Sequence, residues 1–359
     1  MNRVMIRALC TALLLALTPT TASAQQRTLD VPATARWQHA RSQVILPRAI
    51  GDLPRSAIIE NVAPELDVIT HYEDANTRIT LFLFRPRWAN VAVWFERAEA
   101  GMRSNAMFGT TTPLGDGPTM FARPGGSNLS GMRRTYSATG EYQTTSIAVM
   151  PVGIWLVKVR ISSKTLDPAA VDTLMTSALA GIAVPATLAD GAPVAEIAAC
   201  AEPMRWRRAR IIRPTMGSVL MSSVIAMAVN SPESVEAEGA EDSGTVRQNL
   251  CREPGNNAAY TVYRDLDAAN AYQMAVGDAG AAVTVGRMAS ALLGGDNVDV
   301  MMSLHNQSLI YPSFNRLPAP QQVYEMVTTT QAVSSATSDP DIPPAAGERP
   351  QTTITLPSN

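Results

Sequence analysis

The sequence predicts an α+β fold: two domains with mostly antiparallel sheets and few helices, followed by a disordered C-terminal tail. Three observations predict it. Strand-forming runs follow one another in series instead of alternating with helices, which is the order of an antiparallel design. In the first half only two stretches carry a helical period. An Ala/Gly/Pro-rich segment at 185–195 then divides the chain. The 359 residues, 46% hydrophobic and 17% charged, suit about two ordinary globular domains and exclude a collagen-like or wholly disordered chain.

The elements follow in order. Arg3 and Arg7 precede an apolar run from Ala8 to Leu17, and Ala22-Ser23-Ala24 supplies small residues at a cleavage point. Residues 1–24 are therefore expected to be a cleaved secretory signal. The run is too short to span a bilayer, so no transmembrane helix is expected in the mature chain. Cys10 lies at the front of that run, not at the cleavage point where a lipidated cysteine would have to sit, and is discarded with the signal.

Residues 25–184 are expected to form the first α+β domain. After a polar entry segment, Val44 to Pro47 and Ala57 to Val62 are short strand candidates. Leu66 to Glu73 and Arg78 to Phe84 are two β-rich runs joined by Asp74-Ala75-Asn76, which predicts a hairpin. Ile79, Leu81 and Leu83 alternate with Thr80, Phe82 and Phe84, so the second strand is apolar on both faces, as a covered central strand is. Asn90 to Ser104 reads as a helix capped by Asn90, with Val91, Trp94, Phe95, Ala98 and Met102 at helical spacing. Gly109 to Asn128 reads as a long loop. Met132 to Tyr136, Tyr142 to Met150 and Ile154 to Ser162 read as three strands, the last half-exposed because apolar and polar positions alternate after Leu156. Leu166 to Ile182 closes the domain as a helix, with Asp167 as cap and Pro168 at its start.

A hairpin, a helix carrying "WFERAEAG", antiparallel strands ending on "GIWLVKVRISS" and a closing helix resemble the PsbP-like α+β sandwich over residues 44–182. The resemblance lies in element order. It implies an accessory or binding role and transfers no site residue.

Residues 196–331 are expected to form a second, β-rich α+β domain. Gly217 to Val229 is an apolar run, too short for a span and expected to be buried. Ser231 to Gly244 reads as an exposed acidic loop. Ala258 to Arg264, Ala282 to Met288 and two runs around His305-Asn306-Gln307 read as strands, while Ala268 to Val276 could be helix or strand. From Ala332, residues 332–359 are rich in Ser, Thr, Pro and Ala, and disorder is expected there.

Cys200 and Cys251 form an even pair in an exported chain, which predicts one disulfide. Export points to the bacterial envelope, most simply the periplasm. Once the signal is cut, the 29 basic residues less Arg3 and Arg7, set against 31 acidic ones, leave a net charge of −4, which does not suit nucleic acid.

Catalytic and metal signatures are missing. His39, His71 and His305 stand far apart, and no HExxH or Cys-rich knuckle occurs. "GGSNLSG" has Leu129 where a nucleophile elbow needs glycine, and "RPGGSN" lacks the GK[ST] ending of a phosphate loop. No catalytic residue, cofactor or metal ligand is assigned. The strongest local feature is Arg205, Trp206, Arg207, Arg208 and Arg210, with Arg213 nearby. Arginine makes bidentate contacts with carboxylate and phosphate, so this segment is the candidate contact for an envelope protein or an anionic surface. The plainer expectation is that these arginines pair internally with the acidic loop at 233–242, since oppositely charged segments of one domain can satisfy each other. The functional expectation is a non-catalytic binding or accessory protein; the alternative is a hydrolase whose site assembles only in the fold.

Overall fold

The computed structural model describes residues 26–230, 249–268, 270–338 and 352–355. The expected signal segment and the acidic stretch 231–244 lie outside these.

The first sheet has ten strands. Its path joins β1 (Arg27–Thr28), β5 (Leu53–Val62), β6 (Asp67–Glu73), β7 (Thr77–Phe84), β12 (Trp155–Ser163), β11 (Thr144–Val152), β10 (Gly131–Ala138) and β8 (Thr111–Pro113). Two short strands sit off this path: β4 (Ala49–Ile50) on β5, and β9 (Thr119–Phe121) on β10. A separate pair joins β2 (Trp37–Gln38) to β3 (Ile45–Leu46). The expected hairpin is present, in register from Asp67 opposite Phe84 to Glu73 opposite Arg78. Asp74 Oδ1 closes its turn by accepting the Asn76 and Thr77 backbone N–H groups. The stretch 109–128, expected to be all loop, holds β8 and β9. These are three-residue edge strands, too short to show a hydrophobic period, although Met120 and Phe121 of β9 pack against the two cores.

Two helices cover opposite faces of this sheet. Helix α1 (Val91–Arg103) is capped by Asn90, whose side chain accepts from the Val93 N–H. Helix α2 (Pro168–Ala180) is capped by Asp167, which accepts from the Ala170 N–H. Alternation along the strands separates two cores. Leu81, Leu83, Met150, Val157 and Val159 pack with Val171 and Met175 of α2. Phe84, Ile147, Val149 and Leu156 pack with Trp94 and Phe95 of α1.

The second sheet is an eight-stranded antiparallel meander: β13 (Leu250–Arg252), β14 (Tyr260–Asp265), β15 (Tyr272–Val276), β16 (Ala281–Gly286), β17 (Val298–Ser303), β18 (Gln307–Phe314), β19 (Ser334–Ser338) and β20 (Thr352–Thr355). The ambiguous 268–276 segment contributes β15, a strand. Of the tail expected to be disordered from Ala332, Ser334–Ser338 pairs between β18 and Thr352–Thr355, the latter forming the sheet edge; residues 339–351 and 356–359 lie outside the described residues. Three further helices are α3 (Met216–Asn230), the single turn α4 (Ala289–Leu292) and α5 (Pro320–Thr329). Val323, Met326 and Val327 of α5 cover one face of the sheet over Tyr272, Met274 and Val283.

The other face meets α1. Tyr263 and Ala275 belong to the same core as Trp94 and Phe95. Arg97 of α1 is fully buried and donates to three carbonyls, Gly277 (2.7 Å), Asn257 (2.8 Å) and Ala258 (2.5 Å), and to Thr261 Oγ1 (3.0 Å). Lys158 reverses the expectation for β12. Its strand is buried on both faces, and the Lys158 ammonium donates to the Asp278 carbonyl (2.8 Å) and carboxylate (2.7 Å) while lying 4.0 Å from the Phe82 ring centroid. The alternation that reads as solvent exposure is covered by the turn between β15 and β16. Gly280 of that turn has φ +94°, and a Cβ there would lie 2.9 Å from Pro86 Cα, so the approach of the two sheets requires glycine.

Candidate functional site

Residues 200–213 cross the second sheet as an extended strap. Cys200 is bonded to Cys251 of β13, with an S–S distance of 2.02 Å. The Cys200 N–H donates to the Arg252 carbonyl and the Met204 N–H to Glu253 Oε2 (both 2.9 Å). Trp206 then turns inward and meets Tyr272 edge to face at 5.3 Å. Ala209 is buried, and its backbone exchanges two hydrogen bonds with the Gln322 side chain of α5 (3.0 and 3.1 Å). Asn315 receives Arg210, and Ser313 receives Ile212.

With Trp206 and Ala209 facing in, Arg205, Arg207, Arg208, Arg210 and Arg213 are left exposed. Among the described residues none of these guanidinium groups meets a carboxylate. Internal pairing with the acidic stretch involves residues outside the described ones. Between the strap and α5 lies an open groove of about 330 Å³, lined by Trp206, Arg207, Arg208, Ala319, Gln322 and Glu325. Glu325 accepts a hydrogen bond from Gln321 Nε2. The groove therefore offers two free cations, an indole face and one carboxylate on a backbone pinned at five points. It can hold an anion by charge-assisted, bidentate contact.

The other chemistries met in the sequence resolve differently. Arg123 of "RPGGSN" faces Asp190 of the expected linker (3.4 Å), and the Ser127 and Asn128 N–H groups donate to the same carboxylate (2.5 and 2.7 Å). Those donors hold the protein's own anion, which pulls the Asp190 carboxyl below its ordinary range despite the cost of burial. The described residues bring Cys200, Cys251 and Glu253 together, but both sulfurs are bonded to each other and cannot act as thiolate ligands.

Sequence reasoning missed one cluster. His39, Ser42 and Glu65 converge, with Ser42 Oγ 2.8 Å from His39 Nδ1 and Glu65 Oε2 3.8 Å from Nε2. The arrangement looks like a nucleophile, base and acid, and its hydrogen bonds deny that role. His39 Nδ1 already accepts the Ser42 backbone N–H (2.9 Å), and Nε2 is 2.7 Å from the Glu65 carbonyl. The proton therefore sits on Nε2, and the lone pair that would take a serine proton is occupied. The ring is fully buried between Trp37 and Trp155, and neither the groove nor the narrow cleft beneath α3 reaches it. Burial pulls the His39 pKa below its ordinary value, against the raising effect of Glu65. His71 is half-buried on β6, and His305 Nδ1 lies 3.0 Å from the Arg85 carbonyl where the two sheets meet.

No family model, curated protein or solved structure matches the chain.

Proposed function

We propose that the protein is an exported, non-catalytic binding protein of the bacterial envelope, and that the strap Arg205–Arg213 is its contact for an anionic partner. One observation carries the reading: five exposed guanidinium groups on a pinned backbone, without a carboxylate partner among the described residues, beside an open groove. Cations held this way are pre-organised, so binding costs little ordering of the backbone. The disulfide fixes one end of the strap and fits an oxidising compartment. The element order of residues 44–182, which resembles PsbP-like domains, supports an accessory role for the first sheet.

The test is retention on an immobilised polyanion. The wild-type chain should bind and elute with salt, and Arg207→Glu with Arg208→Glu should lower the eluting salt markedly at unchanged thermal stability. Equal retention of the variant would sink the assignment. Cross-linking in intact cells, with capture compared between wild type and the same variant, then identifies the partner.

A further inference from the structure

Helix α3 follows the strap directly and contradicts the burial expected for it. From Met216 to Asn230 it carries no charged residue. A helix on a protein surface ordinarily turns a polar face outward. Here the inward face is made of small side chains: Ala226 is fully buried, and Ser223 is buried with its Oγ 3.0 Å from Ser334 Oγ of β19. Small residues allow α3 to sit close on β18 and β19, while Ile225 lines the cleft beneath it and three other large side chains point away. Met216, Leu220 and Val224, at i, i+4 and i+8, are 68%, 49% and 51% exposed. Ile211 of the strap is 58% exposed, and α4, which packs on α3, ends in the exposed Leu292 and Leu293. Six of the ten large apolar side chains exposed among the described residues therefore gather in the strap, α3 and α4.

The N-terminal end of α3 is fixed. Thr215 and Ser218 cap it reciprocally, Ser218 N–H to Thr215 Oγ1 (3.2 Å) and Thr215 N–H to Ser218 Oγ (3.0 Å). The most exposed of the three, Met216, is thereby held three residues from Arg213. An apolar stripe thus continues a row of exposed arginines. The carboxylates of 233–242 follow the opposite end of the helix in sequence, and a 15-residue helix separates its ends by about 20 Å.

We propose that the strap and α3 together form a peripheral contact with an anionic phospholipid surface. The arginines bind headgroup phosphates, and Met216, Leu220 and Val224 enter the boundary between headgroups and acyl chains. The proposal rests on the anionic-partner reading above and names the partner. Charge complementarity selects a lipid surface: a bare apolar stripe would suit many occupants, but arginines beside it call for phosphate next to hydrocarbon. A second copy is the weaker fit, because pairing this face with itself would set its exposed arginines beside one another. No described helix is long and apolar enough to cross a membrane, so α3 lies in the interface without spanning it.

The experiment is vesicle co-sedimentation of the exported chain, with soluble polyphosphate as a lipid-free polyanion. Phosphatidylglycerol-containing vesicles should bind the protein at least about ten-fold more tightly than phosphatidylcholine alone, and high salt should weaken that binding. Met216→Ser with Leu220→Ser should lose most vesicle binding and keep polyphosphate binding; Arg210→Glu with Arg213→Glu should lose both. Wild-type vesicle binding by the serine variant, or no preference for anionic lipid, overturns the lipid proposal and leaves the anionic-partner reading intact if polyphosphate still binds. Binding to neither probe overturns both. A wild-type dimer that the serine substitutions convert to monomer assigns the stripe to a second copy and likewise overturns the lipid proposal. Should the serine variant misfold, Leu220→Trp provides the second readout: brominated anionic lipid should quench its fluorescence, and unquenched emission rejects insertion.

Discussion

His39 makes a pH dependence concrete. Its ring is fully buried and its pKa lies below the ordinary histidine value because burial disfavours the imidazolium. His71 is lowered for the same leading reason. The unfolded chain takes up these protons below about pH 6.5 while the folded chain resists them. Stability present above that pH is therefore lost as pH falls through the histidine range. Urea midpoints should drop between pH 7.5 and pH 5.5, and His39→Gln should start lower and fall less steeply; a slope identical to wild type would remove His39 from the account. Lys158 behaves otherwise, because its ammonium is paired with the Asp278 carboxylate at 2.7 Å. Burial lowers its pKa, and the half-exposed Asp278 carboxylate, which Lys158 holds below the ordinary carboxylate range against a desolvation cost, balances the charge. Asp278→Ala leaves the buried ammonium with only its backbone acceptor and, discounted for the carboxylate's exposure, should cost about 2 kcal/mol in urea unfolding, most of it regained by adding Lys158→Met. Neither role was legible in the sequence. A lysine among alternating apolar residues is the pattern of a half-exposed strand, and only a turn 120 residues away covers it. His39 and Glu65 meet 26 residues apart, through a carbonyl that carries no side-chain signature.

The secondary structure was far more legible, for local reasons. Asp74 closes the hairpin turn, and Asn90 and Asp167 accept the free N–H groups that start α1 and α2, so these elements announce themselves within a few residues. Where strands are short or built of small polar residues, as in β8 (Thr, Thr, Pro) and β19 (Ser, Ser, Ala, Thr, Ser), the side chains give no hydrophobic period. Helix α3 fails for the opposite reason: its apolar run does signal a helix-length element, but composition does not say which face is covered. The strap was recognised by its arginines, while its inward Trp206 and Ala209 and its groove against α5 depend on residues more than 100 positions away. The strap's shape also depends on the Cys200–Cys251 bond, which closes a loop with a sequence separation of 51. In the chain-entropy account a loop of that size contributes about 4 kcal/mol. Cys200→Ser with Cys251→Ser should therefore lower unfolding free energy by a few kcal/mol and raise proteolysis within 200–213 first; a variant with native stability and an intact strap would show that Trp206 and Gln322 suffice.

Two separate sheets, one a meander and one covered by a helix on each face, would ordinarily move as two bodies, since interfaces within a chain tend to be modest and polar. Here α1 belongs to both. Its Trp94 and Phe95 share a core with Tyr263 and Ala275 of the second sheet. Glu96 receives Tyr263 Oη (2.8 Å) and pairs with Arg252, one residue beyond the disulfide, while Arg97 fills four acceptors from residues 257–277. If the first sheet unfolded alone, it would strip those buried carbonyls of their donor and leave Tyr263 facing water, so the two sheets should unfold as one unit. Hydrogen exchange under increasing urea tests this directly: amides of β11 and β16 should lose protection at the same denaturant concentration. Arg97→Met removes the donors while keeping the aliphatic bulk, and it should separate the two midpoints, with the second sheet opening first because the orphaned carbonyls are its own. Coincident midpoints in the variant would place the coupling in the shared apolar core instead. Separated midpoints in the wild type would mean that the strap and α3 can be displaced without disturbing the first sheet.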